Sequence, residues 1–161
     1  MTQSNRKAVI VAVFATVLGA GCAVSQTKTQ TQTGAPLARQ IAQSGHCGLV
    51  APGHIHLASV ADIDRLEALP GRRLPLASLR SVQFGNEHVV LAALGQKPTG
   101  GFSITLAGAE IVDDELVLAV DIQEPTPGMM VSQALTTPCA AIAVTASGWD
   151  DIRIAPVENN R

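Results

Sequence analysis

The chain has 161 residues, of which 47% belong to the hydrophobic set, 15% are charged and 2% are aromatic, and its formal net charge is -2. That length makes one small domain. A slightly acidic chain offers no basic field to hold a phosphate backbone, and so few rings leave bases little to stack on, which excludes nucleic acid as a partner.

Arg6 and Lys7 precede Ala8 to Ala20, an uncharged run with Thr16 as its one hydroxyl, followed by Gly21 and Cys22. This is the order of an export signal. As a helix the run reaches roughly 20 Å, short of the ~30 Å of hydrocarbon that a spanning segment must cross. Leu18-Gly19-Ala20-Gly21-Cys22 resembles a bacterial lipobox, with Leu18 four residues before the cysteine where the usual motif has it three before. The resemblance implies a signal peptide over 1–21 and Cys22 as the lipidated first residue of the mature chain, carrying fatty acyl groups such as palmitate. Ala23 in the next position, where an Asp would retain the protein at the inner membrane, implies an outer-membrane lipoprotein facing the periplasm. A plain signal peptide, or an uncleaved anchor reaching to about Lys28, is the alternative. Ser25 to Thr33 has no apolar side chain to bury, so residues 22–43 are read as a polar, disordered tether.

With Cys22 acylated, Cys47 and Cys139 remain in an exported chain, where disulfides persist. Joining them restricts the unfolded chain by about 4 to 5 kcal/mol in the chain-entropy model. Two unpaired buried thiols are the other reading.

Residues 44–156 are predicted to form one β-rich domain. A helix follows Ser59, with Asp62 placed to complete its cap, Val60, Ile63, Leu66 and Leu69 at helical spacing, and Pro70-Gly71 to stop it. Val89 to Leu94 is wholly apolar, as in a strand covered on both faces. Phe102, Ile104 and Leu106 alternate with small or polar residues, and Gly108 is placed for a bulge. Ile111-Val112 and the alternating run Leu116 to Ile122 flank Asp113-Asp114, which predicts a hairpin. Further strands are expected at Ala140 to Val144 and Asp151 to Ile154, with weaker signals around Cys47 to Val50 and Arg80 to Phe84. The fold class is therefore mainly β with one helix: an antiparallel β-sandwich or partly open barrel, the helix packed on one side.

Two segments are more particular than strand connections. One is Leu94-Gly95-Gln96-Lys97-Pro98-Thr99-Gly100-Gly101-Phe102. The other is Pro125-Thr126-Pro127-Gly128 followed by Ser132-Gln133-Ala134-Leu135-Thr136-Thr137-Pro138. Together with the hairpin between them they resemble the C-terminal domain of the protease complex subunit PrcB family, over about residues 88–145. The resemblance implies an exported domain with no catalytic activity and no cofactor, associated with an envelope protease complex. Its partners are then the membrane, through the N-terminal lipid, and an envelope protein. This chain departs from the family in placing Cys139 where an aromatic is usual.

On their own chemistry, Pro98, Thr99, Gly100, Gly101 and Phe102 make a rigid turn that presents backbone, and Pro127 and Gly128 stiffen the second segment. Met129 and Met130, near Gln133, are an adaptable apolar contact or else fold inward as core. Three functions follow. The first is a non-catalytic interaction or assembly module built on these two loops. The second is an inhibitor, because Pro98 to Phe102 is similar to a loop of chagasin-like protease inhibitors, whose companion motifs are absent here. The third is zinc or copper binding through His46, His54 and His56, where His54 and His56 share one side of a strand but the ligand set is incomplete. Hydrolase, zincin and phosphate-loop motifs are absent, so an enzyme is not expected.

Overall fold

A computed structural model describes residues 36–157. The readings of residues 1–21 as a signal peptide, of Cys22 as the lipidation site and of 25–33 as a polar tether lie outside the described residues. Among the described residues no helix is long and apolar enough to cross a membrane.

Strands β1 (Ala38–Ser44) and β2 (Pro52–Leu57) precede helices α1 (Val60–Glu67) and α2 (Leu76–Arg80), and five strands follow. These are β3 (Glu87–Leu94), β4 (Ser103–Val112), β5 (Glu115–Gln123), β6 (Cys139–Thr145) and β7 (Asp151–Pro156). They form a four-stranded sheet in the order β1-β6-β3-β2 and a three-stranded sheet in the order β4-β5-β7. Neither closes into a barrel.

The centre of the larger sheet explains the architecture. Alternate residues of β3 and β6 point to opposite faces, and both strands are apolar on both. Val89, Leu91, Ala93, Ala141 and Ala143 pack with Ile63, Leu66, Leu74, Leu76, Leu79 and Val82 of the helical segment. Val90, Ala92, Ala140, Ile142 and Val144 pack with Ile104, Leu116, Leu118, Val120 and Ile152 of the smaller sheet. The layers are helices, sheet and sheet, so the helical segment covers one side as expected. The alanines of β6 keep both layers close to the strand.

The two sheets are also stitched at an edge. A register shift between Gln40 and Ala42 marks a bulge at Ile41, which breaks the two-residue alternation. Gln40 and Gln43 therefore both reach β4: the Gln43 side-chain amide donates to the Ile104 carbonyl at 3.0 Å, and the Leu106 N–H donates to Gln40 Oε1 at 2.8 Å. Side chains of β1 thus satisfy backbone groups on the open edge of β4, groups that would otherwise be a template for pairing.

The hairpin β4–β5 forms as predicted, its turn made by Asp113 and Asp114 at φ 50° and 64°, the left-handed pair of a type I′ turn. The register shift between Leu106 and Gly108 puts a bulge where Gly108 suggested one. Four expectations are corrected. β7 pairs with β5 in parallel, because the chain leaves β5 for β6 in the other sheet and returns; alternation along a strand carries no direction. Residues 80–84 close a second helix and a turn, with Leu79 and Val82 buried at the spacing of a helical face. The ordered body begins before residue 44: β1 lies within the stretch read as tether, and residues 47–50 form a loop instead of a strand.

The α1 cap differs in detail from its sequence reading. Asp62 accepts from the Ala58 N–H at 3.1 Å and from the Ser59 hydroxyl at 2.7 Å, while the Ser59 side chain caps no helical N–H. These bonds, the Ser59 hydroxyl first and then the Ala58 N–H and the charge of Arg65, hold the Asp62 carboxyl below its usual 3.8. A depressed carboxyl pKa gives stability that is complete above that usual value and lost as pH falls through the folded one. Asp62→Asn is therefore expected to lower Tm at neutral pH and to flatten the acid limb of a Tm-against-pH curve; an unchanged acid limb would show that the cap contributes nothing.

Candidate functional site

Three loop segments meet at one end of the larger sheet: residues 45–52 before β2, 94–102 after β3 and 125–138 before β6. Thr137 is the junction. Its carbonyl and hydroxyl both accept from the Cys47 N–H, at 3.0 and 2.9 Å, its hydroxyl also accepts from the Gly48 N–H at 3.0 Å, and its own N–H donates to the Gly45 carbonyl at 2.8 Å. The second and third segments pair through Lys97 and Thr136, whose backbones exchange both bonds at 2.8 and 3.0 Å, and through the Gly100 N–H, which donates to the Ser132 carbonyl at 2.8 Å. Thr136 is the one buried polar residue among the described residues, and its hydroxyl donates to the Thr99 carbonyl at 2.8 Å. The Gln96 N–H closes the set by donating to the Val50 carbonyl at 3.0 Å.

A disulfide joins Cys47 and Cys139 across a sequence separation of 92. It lies where the first segment meets the start of β6, with both cysteines fully buried. The covalent link therefore pins the segments whose backbones Thr137 holds, and the thiols are not free to bind a metal.

Glycines are required where these segments touch. At Gly95, φ 71°, a Cβ would stand 2.7 Å from the Pro52 nitrogen; at Gly101, φ 87°, it would stand 2.9 Å from Val131 Cγ1 and 3.0 Å from Pro125 Cβ. Pro127 and Gly128 occupy the centre of a turn closed by the Met129 N–H on the Thr126 carbonyl at 3.0 Å, and Gly128 has φ 84°, the Pro-Gly order of a type II turn. The backbone is thus fixed by its own bonds, and the side chains it presents are apolar. Met130 is 99% exposed, Val50 67%, Leu135 62% and Met129 46%. The inward alternative for these methionines is overturned, because the turn at Thr126 to Met129 carries them away from the sheet.

Both loop motifs of the sequence reading, Pro98 to Phe102 and Pro127 to Gln133, belong to this platform. Pro98 is exposed, Thr99 and Gly100 are half-buried against the third segment, and Phe102 is half-buried with Lys97 Nζ 5.2 Å from its ring centroid. Gln133 turns back, its amide donating to the Val131 carbonyl at 3.3 Å. Val50, Leu135, Thr136 and Thr137 complete the site. Leu135, Thr136 and Thr137 lie in the second motif, but their roles do not show in the sequence, since Thr-Thr before Pro138 reads as loop and only the fold makes the pair a junction.

The histidines are distributed differently from the proposed trio. His46 lies in the first segment, where its backbone makes an isolated bridge to Thr137, while His54 and His56 are on β2. His56 meets His88, which its β3 register places diagonally opposite: Nε2 and Nδ1 are 2.9 Å apart. Trp149 packs edge-on to both rings at 5.4 and 6.2 Å between centroids. Burial first, then the neighbouring His88 and His54, push the His56 pKa below 6.5, against a raising effect of Asp62. Among the described residues no group of three or more His, Cys, Asp or Glu is arranged to hold a metal ion. His88 carries no local signal as a partner of His56, because strand register alone brings the two together.

Residues 88–145 match a family model described as PrcB C-terminal. No curated protein and no solved structure gives a significant match. The matched region runs from β3 to β6 and contains both the central strand pair and the second and third loop segments.

Gly101→Ala tests whether the loop pairing depends on that close approach. Left-handed backbone and overpacking against Val131 and Pro125 together are expected to cost about 1 to 3 kcal/mol in denaturant unfolding. A loss within error of zero would mean the two segments separate freely.

Proposed function

We propose that this chain is a non-catalytic lipoprotein of the cell envelope whose β-rich domain is a protein-interaction module of a protease complex. The observation that carries the reading is the loop platform: Met130, Met129, Leu135 and Val50 stand exposed on segments that are hydrogen-bonded to one another and tied by a disulfide. A fixed backbone lowers the ordering cost of association, and methionine side chains adapt to a partner's contour. Apolar side chains exposed on such neighbouring loops are available for contact with a partner. The protease-complex association is what the family's name suggests for the matched region.

The non-catalytic part of the reading rests on the chemistry available. The groove between β2 and α1, about 230 Å³, is lined by Ile55, His56, Leu57, Asp62, Arg65, Leu66 and Leu69. None of these is a Ser, Thr, Cys or Lys, and the carboxylate of Asp62 is already engaged by Ser59, Ala58 and Arg65. The outer-membrane, periplasm-facing location rests on the Cys22 motif and on Ala23 after it.

Two measurements test the two halves. Crosslinking in intact cells, followed by mass spectrometry, is expected to recover an envelope protease or one of its subunits with the parent chain and to lose it with Met130→Asp combined with Leu135→Ser. Both positions are exposed, so the fold should survive, and an unchanged set of partners would refute the platform. Labelling with a fatty acid is expected to mark the chain and to disappear with Cys22→Ala; label that persists would refute the lipid anchor.

A further inference from the structure

The pairing of His56 with Val90 across β2 and β3 sets His56 and His88 diagonally on one face. Their facing nitrogens, Nε2 and Nδ1, are 2.9 Å apart. Trp149 forms a wall against both rings, and its indole N–H is fixed by donation to the Thr145 carbonyl at 2.9 Å. His56 is exposed to solvent. Two imidazoles so held share a proton when no cation is present, and each has a second nitrogen to carry its own proton when one is.

We infer that His56, through Nε2, and His88, through Nδ1, form a two-imidazole chelate for copper(II), with water in the remaining positions. The 2.9 Å separation is that of a hydrogen bond between the rings; a cation held by both rings displaces that bond, each nitrogen turning its lone pair to the metal at about 2.0 to 2.1 Å. Copper(II) heads the affinity order for nitrogen ligands. The ion takes the place of the shared proton, so binding weakens as pH falls. This pair replaces the trio suggested by the sequence: His46 belongs to another segment, and His54, though on the same face of β2, does not complete a three-ligand group.

Trp149 is the chain's single tryptophan, and there is no tyrosine, so its fluorescence reports on this site directly. The full chain, carrying Cys22→Ser to remove the competing thiol and no histidine tag, is titrated with copper(II) sulfate. The expected result is saturable quenching at equimolar metal, reversed by a chelator. Copper electron paramagnetic resonance should show coupling to two imidazole nitrogens. His88→Gln and His56→Gln should each weaken binding by at least about tenfold, His46→Ala should leave it unchanged, and zinc should compete only in large excess. Thermal melts in chelator establish that each variant is folded. Quenching that is unaltered in folded His88→Gln, that fails to saturate, or that is lost with His54→Ala but not with His88→Gln would overturn the pair.

Discussion

The structure depends on one ladder, the antiparallel pairing of β3 with β6, which runs from Glu87 opposite Thr145 to Ala93 opposite Cys139. From Val89 to Ala93 and from Cys139 to Val144 both strands are buried on both faces, and each of these residues belongs to one of the two apolar clusters. Helices on one face and the smaller sheet on the other meet this pair as their main common surface. Each fully buried Leu, Ile or Val there is worth about 1.5 to 3 kcal/mol of transfer free energy, and a ladder that slipped by one residue would exchange the two clusters.

The same ladder fixes the functional end. β3 runs out at Leu94 and β6 begins at Cys139, and the Leu94 N–H donates to the Pro138 carbonyl at 2.9 Å. The loops that leave these two ends therefore start side by side, and the backbone exchange between Lys97 and Thr136 continues the pairing beyond the sheet. The disulfide adds the first segment to that extension. A platform built this way needs little ordering on contact, which suits a domain whose apolar side chains lie on turns instead of in a cleft.

Surface ion pairs have a smaller share. Arg39 with Glu87, Arg80 with Asp64 and Glu67, and Arg153 with Glu115 all join elements, at 2.7 to 2.9 Å. Exposed pairs of this kind typically contribute about 0 to 1 kcal/mol. They refine orientation at the rim, while burial and the ladder decide the fold.

The residues alone determined the mainly β class, the α1 segment, the central strands and the Asp113-Asp114 hairpin, because each carries its own signal in period, cap or turn chemistry. They also marked both loop motifs and pointed to the Cys47–Cys139 pair. Three elements left no such mark. β1 has Ile41 as its bulkiest apolar side chain and spends its glutamines on a neighbouring strand; β2 opens on Pro52-Gly53 like a turn; α2 is too short to show a period. Only the tertiary structure decided that β7 runs parallel to β5, that Thr136 and Thr137 together join three segments, and that His56 meets His88 instead of His46. These are long-range facts: strand direction, register and loop convergence arise from which surfaces bury each other, and no local run of side chains encodes that choice.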